Sequence, residues 1–218
     1  TIGSRLDRDG TVTSYTYDAL KRLLTTTRNS ITVSNLYDPN GNILRIVRYG
    51  SDATTITNSL ATYDNAGWQT SSKDALNNTT TYTNIIEGSG QTIKTNTYSD
   101  FSTRVETYAK DGSLWRVTRT EVHPVRFNYG VESDGGIQRA YTKEIKLDAG
   151  GSDTSEWLKT YRDMVGRPYK TVYASGTGTP FAISFYNSKS QLTNQLDPDG
   201  NSTLYVYNLN GELTHTVI

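Results

Sequence analysis

Leu6–Leu23 reads LDRDGTVTSYTYDALKRL, and Leu196–Leu213 reads LDPDGNSTLYVYNLNGEL. The two stretches align over eighteen positions without a gap, and eight are identical. The matches are Leu6/Leu196, Asp7/Asp197, Asp9/Asp199, Gly10/Gly200, Thr13/Thr203, Tyr15/Tyr205, Tyr17/Tyr207 and Leu23/Leu213. A third copy runs from Asp74 to Tyr82 and carries Asn77 where the others carry glycine. Asparagine tolerates a left-handed backbone better than most non-glycine residues, so the swap keeps the same turn. Self-similarity of this kind marks an array of small units that stack on one another.

The other half of the repeat is Tyr-Asp-x-x-Gly. It appears as Tyr37-Asp38-Pro39-Asn40-Gly41, Tyr63-Asp64-Asn65-Ala66-Gly67 and Tyr207-Asn208-Leu209-Asn210-Gly211. Looser copies begin at Tyr17, at Tyr108 (with Asp111 and Gly112) and at Tyr186. Another pairs Asp163 with Gly166, its tyrosine displaced to Tyr161. Leading positions 17, 37, 63, 108, 162, 186 and 207 lie 20, 26, 45, 54, 24 and 21 residues apart. The basic period is therefore 20–26 residues, and the two long intervals fit a doubled unit with insertions.

Asp38-Pro39-Asn40-Gly41 and Asp197-Pro198-Asp199-Gly200 suit a type I turn, with aspartate first, proline presetting φ second and glycine closing where a Cβ would clash. After each turn the chain alternates. Thr203, Tyr205 and Tyr207 fall on one face, and Ser202, Leu204 and Val206 on the other. Thr13, Tyr15 and Tyr17 alternate with Val12, Ser14 and Thr16 in the same way. In the middle segment Tyr141, Lys143, Ile145 and Leu147 alternate with Thr142, Glu144 and Lys146, and a turn at Ala149–Asp153 leads into Glu156–Tyr161. Period two with Thr/Tyr/Val enrichment predicts β-hairpins, and no stretch keeps helical periodicity over three turns. A lone hairpin is marginal in water, so stacked neighbours must supply the stability.

Composition agrees with a thin sheet. Hydrophobic residues make up only 34% of the 218 residues, while tyrosine is abundant at 16, against 4 Phe and 3 Trp. Tyrosine covers a sheet face with its ring and keeps a hydroxyl for a polar partner. Lysine plus arginine balance aspartate plus glutamate at 22 each. No positive field is built for nucleic acid, and no apolar run reaches the roughly 18–20 residues that span a bilayer. Cysteine is absent, which excludes disulfides and thiolate metal sites. The chain begins Thr1-Ile2-Gly3 with no initiator Met or signal peptide, which reads as a piece of a longer protein.

These residues resemble the RHS/YD-repeat family, which includes the shell-forming subunits of bacterial toxin complexes and the barrel of the teneurins. The resemblance is clearest over 1–83 and 159–218. Residues 84–157 read as a divergent long-strand insert within a single array covering 1–218. The resemblance implies an all-β fold in which antiparallel YD-repeat hairpins form a continuous, spiralling sheet or shell segment.

Residues that suggest chemistry have a plainer reading. His123 precedes Pro124, His215 sits in a strand, and no nucleophile-elbow sequence accompanies either. Asp7-x-Asp9-Gly10 and Asp197-x-Asp199-Gly200 open like a calcium loop, yet the twelfth position counted from Asp197 is Asn208 rather than glutamate. Both Asp-Pro pairs lie in repeat turns, without the apolar, glycine-rich stretch that follows the self-cleavage site in toxin-delivery relatives. Asn77, Asn78 and Asn201 stand in Asn-x-Ser/Thr sequons. Trp68, Trp115 and Trp157 are candidate sugar-stacking residues, although aromatics at repeat positions more often pack between strands.

The sequence therefore predicts a non-enzymatic wall-building segment of a large secreted or surface bacterial protein, with no cofactor and no metal. The structural residues are the turn positions Asp7, Asp9, Gly10, Asp38, Pro39, Gly41, Asp64, Gly67, Asp111, Gly112, Asp163, Gly166, Asp197, Pro198, Gly200 and Gly211. With them go the strand tyrosines Tyr15, Tyr17, Tyr37, Tyr63, Tyr82, Tyr108, Tyr161, Tyr186, Tyr205 and Tyr207. Expected partners are other repeats of the parent chain or identical copies, and glycans in a rival adhesion reading; a third reading is part of a toxin-encapsulating cocoon. Joining Ile218 to Thr1 of a second copy would set Tyr207 and the next Tyr17 28 residues apart, near the repeat spacing.

Overall fold

A computed structural model describes residues 3–174 and 178–218; Thr1, on which the expected junction between copies falls, lies outside them. Nineteen strands form, all antiparallel, with no helix among the described residues. The chain divides into two compact units, Thr1–Val105 and Glu106–Ile218. The first holds β1 (Ser4–Leu6), β2 (Val12–Tyr17), β3 (Leu23–Arg28), β4 (Ile31–Tyr37), β5 (Ile43–Tyr49), β6 (Thr55–Tyr63), β7 (Gln69–Asp74), β8 (Thr79–Ile86) and β9 (Thr92–Thr97). Strand β10 (Thr103–Tyr108) spans the division in sequence. The second unit holds β11 (Leu114–Thr118), β12 (Val125–Asp134), β13 (Ile137–Leu147), β14 (Asp153–Arg162), β15 (Pro168–Tyr173), β16 (Phe181–Tyr186), β17 (Leu192–Leu196), β18 (Ser202–Tyr207) and β19 (Leu213–Val217). From β1 to β9, and again from β11 to β19, each strand pairs with its sequence neighbours.

One turn recurs throughout. In fourteen connections among the described residues, the first turn residue's N–H donates to the fifth residue's carbonyl, and the fourth residue's N–H donates to the first residue's carbonyl. The fourth residue has positive φ in every case. This is a type I turn followed by a left-handed residue, whose sense of twist suits the flanking strands. At Gly10 and Gly200 nothing lies near the Cβ position, so the expected clash is not what selects glycine there. The backbone is, with φ of 79° and 90°. Lys21, Ala53, Asn77, Phe101 and Ser190 fill the same position at φ between 63° and 68°, a conformation that strains an L side chain.

The turn also passes through sequence that lacks its aspartate. Glu87, Tyr98 and Ala109 each stand first in such turns, inside the stretch that looked divergent. The turn expected at Ala149–Asp153 starts one residue earlier, at Asp148, because Gly151 is the residue with positive φ. Strand β14 accordingly begins at Asp153.

Antiparallel strands reverse direction at each connection, so successive turns fall on opposite rims. In the first unit the turns led by Asp18, Asp38 and Asp64 share one rim, and those led by Asp7 and Asp74 share the other. In the second unit Asp163, Asn187 and Asn208 share one rim, and Asp148 and Asp197 the other. The two halves of the repeat thus segregate by rim. After Tyr17, Tyr37, Tyr63, Arg162, Tyr186 and Tyr207 the next strand carries one extra residue: Leu24, Leu44, Thr70, Tyr169, Thr193 and Thr214 respectively. Past Asp7 and Asp197 the register runs on without a slip. The hairpins closed at Gly50 and Asp148, on the opposite rims, also shift register, between Ile46 and Val47 and between Ile145 and Leu147, and each irregularity adds local twist to its strand pair.

Burial is shallow. Among the described residues only Thr13 and Val47 in the first unit, and Val117, Ile145, Leu147 and Tyr161 in the second, are buried. Cross-strand hydroxyl pairs supplement this thin core, with Thr16 and Thr25 oxygens 2.6 Å apart and Thr27 and Thr32 oxygens 2.9 Å apart.

Candidate functional site

The candidate site is the seam between successive repeats. Each turn is closed by its own side chains. Asp38 accepts the Asn42 backbone N–H at 2.8 Å and the Asn42 side-chain amide at 2.8 Å. Asp197 does the same with Asn201, at 2.8 and 2.9 Å. Asp163 accepts the N–H groups of Val165 and Arg167 and the Arg167 Nε at 2.7 Å. In the turns at Asp111 and Asp9 the third residue takes over, accepting from the backbone of Ser113 and Thr11 at 2.9 Å. Either carboxylate position satisfies the fifth residue's N–H, which explains why aspartate need not stand first. These bonds favour the charged form. The Asn42 side chain, followed by its backbone N–H, holds Asp38 below the usual carboxylate range, and Asn201 does so for Asp197.

Tyrosine ties one repeat to the one before. The hydroxyls of Tyr37, Tyr63, Tyr186 and Tyr207 donate to the backbone carbonyls of Leu23, Ile43, Pro168 and Leu192, at 2.9, 3.2, 2.9 and 2.9 Å. Each acceptor is the residue five places after the first residue of the previous turn on the same rim, immediately before the bulged residue. A bulge disrupts the ladder locally, and the hydroxyl arrives at that point. Tyr129 repeats the arrangement on Leu114 at 2.8 Å. It escaped the sequence reading, although a period of 21 residues from Tyr108 lands on it.

The fifth turn residue adds a second tie. Arg22 bonds Asp18 through Nε at 2.6 Å, reaches the Asp38 carbonyl through Nη1 at 3.0 Å, and lays its guanidinium 4.6 Å from the Tyr37 ring centre. Arg167 lies 4.5 Å from the Tyr186 ring centre. Gln191 bonds the Asn187 side chain and donates to the Gly211 carbonyl at 3.0 Å. Bidentate reach combined with an aromatic face is what arginine offers over lysine here.

The remaining strand tyrosines sit in other surroundings. Tyr82 meets the Ser72 hydroxyl at 2.8 Å, Tyr108 donates to Glu106 at 2.6 Å, and Tyr205 donates to Gln195 at 3.3 Å. Tyr15 and Tyr17 are half-buried on β2. Tyr161 faces the other way. Its register runs through Lys170, Ile183 and Leu196 to Ser202, which stands on the opposite face of β18 from Tyr205 and Tyr207. There it donates to Glu132, which also accepts from Lys159 at 2.8 Å, while Asp134 accepts from Tyr169 and from Lys170 at 2.6 Å. Burial, then the bond to Asp134, pushes the Tyr169 phenol up to about 12.

The remaining candidates are spread out. His123 and His215 are exposed, with the Pro124 carbonyl 3.2 Å from His123 Nδ1 and the Thr214 hydroxyl 3.0 Å from His215 Nδ1. Asp7 and Asp9 are neutralised by Arg28 at 3.3 and 3.2 Å, and no group of three metal-ligating side chains occurs among the described residues. Trp68 and Trp115 are exposed, whereas Trp157 lies under the Lys143 ammonium at 4.2 Å and borders an open groove with Glu144, Glu156 and Tyr173. Asn78 and Asn201 spend their side-chain amides on Asp74 and Asp197.

No family model and no curated protein matches this chain. Solved structures do resemble it. A chain of the Photorhabdus luminescens Tc holotoxin pore, carrying the mutation TccC3-D651A, is similar at 13% identity and a TM-score of 0.46 over 92% of this chain and 14% of that one. A TcdB2-TccC3-TEV chain is 12% identical with a TM-score of 0.42, over 98% of this chain and 15% of that one. A TcdB2-TccC3 chain is 14% identical with a TM-score of 0.39, over 96% and 15%. The present chain spans about one seventh of the length of these structures.

Proposed function

We propose that this chain is a non-enzymatic wall segment, a β-strip whose repeats are made to be continued hairpin by hairpin. The observation that carries this reading is the tie from the repeat tyrosines Tyr37, Tyr63, Tyr186 and Tyr207 to the carbonyl beside the previous repeat's bulge, as from Tyr37 to Leu23 and from Tyr207 to Leu192. Such a tie needs the preceding repeat as its acceptor, and the repeats led by Tyr37 and Tyr186 both donate one and accept one. Its partners are further repeats of the parent chain or identical copies, and its setting is a large protein secreted from or displayed on a bacterial cell. A strip of this kind serves as a shell, tube or fibre. Electron microscopy and sedimentation of the purified chain over a wide concentration range test the version built from identical copies. Elongated or concentration-dependent assemblies are expected; compact monomers at the highest concentration would exclude it.

A second reading, glycan adhesion, is favoured by the groove beside Trp157 and by the exposure of Trp68 and Trp115. A glycan array answers it, with binding abolished by Trp157→Ala or Trp68→Ala as the supporting result and a blank array for the wild type as the excluding one.

A further inference from the structure

Strand β13 pairs with β12 from Ile137 to Lys146, but β14 meets it only from Tyr141 onward. Val131–Asp134 and Ile137–Ala140 therefore overhang β14 as a two-stranded tip. Gly135 and Gly136 close it, at φ of 59° and 82°, as a two-residue primed turn requires.

The tip is not straight. Gly130, Tyr141, Tyr161 and Lys170 stand opposite one another on four successive strands. In a flat sheet Asp134 would lie about 13 Å along the strand from Gly130 and about 14 Å across from Lys170. Aspartate and lysine side chains together reach roughly 9 Å from their Cα atoms. Yet Lys170 Nζ lies 2.6 Å from Asp134 Oδ1. The tip must fold over the face that carries Tyr161. It leaves the sheet at Gly130, where an added Cβ would sit 2.6 Å from the Tyr141 hydroxyl and 2.8 Å from its ring. Glycine inside a strand marks this kind of bend or close approach.

What holds the folded tip is polar. Glu132 takes Lys159 and the Tyr161 hydroxyl, Asp134 takes Lys170 and the Tyr169 hydroxyl, and the Arg139 guanidinium lies 5.1 Å from the Tyr169 ring centre. Val131 and Ile137, the apolar residues of the tip, are exposed instead of buried beneath it. A two-stranded hairpin without an apolar seat is marginal by itself.

We propose that the β12–β13 tip is a polar strap that docks and undocks as one unit about Gly130, covering Tyr161 and Tyr169 when docked while β13–β15 stay paired. Backbone hydrogen exchange of the full chain, read by mass spectrometry, tests it with the double variant Glu132→Gln/Asp134→Asn. Amides of 131–140 are expected to exchange at least about tenfold faster than in the wild type, with those of 141–147 and 157–161 changed by less than about twofold. Unchanged exchange in 131–140, or equal acceleration through β13–β15, overturns the strap. Should the variant fail to fold, the wild type at low and at about 1 M salt gives the same readout, because salt weakens ion pairs. Faster strap exchange at high salt supports undocking, and equal exchange at both overturns it.

Discussion

The Tyr37 hydroxyl donates to the backbone carbonyl of Leu23, 2.9 Å away in the preceding hairpin. Leu23 pairs with Tyr17, the equivalent tyrosine one repeat earlier, and Leu24 beside it is the bulged residue. The bond therefore spans one repeat and meets the ladder where its hydrogen bonding is disturbed. Phenylalanine would pack as well but leave that carbonyl without this donor.

Tyr37→Phe is expected to lower the unfolding free energy by about 1 kcal/mol, the net value of one such bond, rising toward about 2 kcal/mol if the carbonyl stays dry. Tyr205→Phe loses only a long contact of 3.3 Å with Gln195 in an exposed position and should cost less than half as much. Urea unfolding of the two variants compares them directly. Equal losses would mean that the seam is held by rings alone.

The left-handed turn position offers a test of opposite signs. Gly200→Ala places a Cβ at φ 90° and is expected to destabilise by about 1 kcal/mol or slightly more. Ala53→Gly removes a Cβ from φ 64° and should stabilise, by up to about 1 kcal/mol less the added entropy of the unfolded chain. Thermal unfolding reads both; the same sign for the two substitutions would contradict the turn assignment.

Acid should weaken the turns through their carboxylates. Asp38 and Asp197 titrate below the unfolded value of about 3.9, so the folded chain binds fewer protons than the unfolded chain in that interval. Their contribution is complete above pH about 3.9 and disappears as pH falls through the lowered native values. Melting temperature followed downward from neutral pH should decline in that window. Asp38→Ala should flatten the decline as well as lower the starting value.

Alkali should act on the other face. Tyr169 titrates at about 12 in the folded chain against about 10 when unfolded. The stabilisation is fully present below pH about 10 and is lost as pH rises through the native value. Tyrosinate absorbance should show a late-titrating phenol that Tyr169→Phe removes. A wild type whose tyrosines all ionise near pH 10 without unfolding would refute the Asp134 contact.

Gly130→Ala examines the bend from the opposite direction. With its Cβ 2.6 Å from the Tyr141 hydroxyl, alanine must displace that ring or the strand, at a cost of about 1–3 kcal/mol in unfolding free energy. Gly88 meets nothing within contact distance, so Gly88→Ala serves as the control.

Much of the architecture could be read from residues alone, because turn and strand preferences are local. Asp38-Pro39-Asn40-Gly41 carries its own φ requirements, and Thr203-Leu204-Tyr205-Val206-Tyr207 carries its own alternation. The turns led by Glu87, Tyr98 and Ala109 were harder to see, since a left-handed fourth residue and any nearby oxygen suffice once flanking strands pair. The acceptors of the tyrosine ties were invisible, because a backbone carbonyl such as that of Leu23 has no letter of its own. So were the partners of Glu132, which lie 27 and 29 residues away on a face set by strand register. By itself the sequence determined that this chain folds as alternating hairpins with tyrosine at the repeat positions. Only the tertiary structure decided which strand pairs are bulged, which carbonyl each hydroxyl meets and where the long hairpin folds over, because those depend on register and bending summed over several strands.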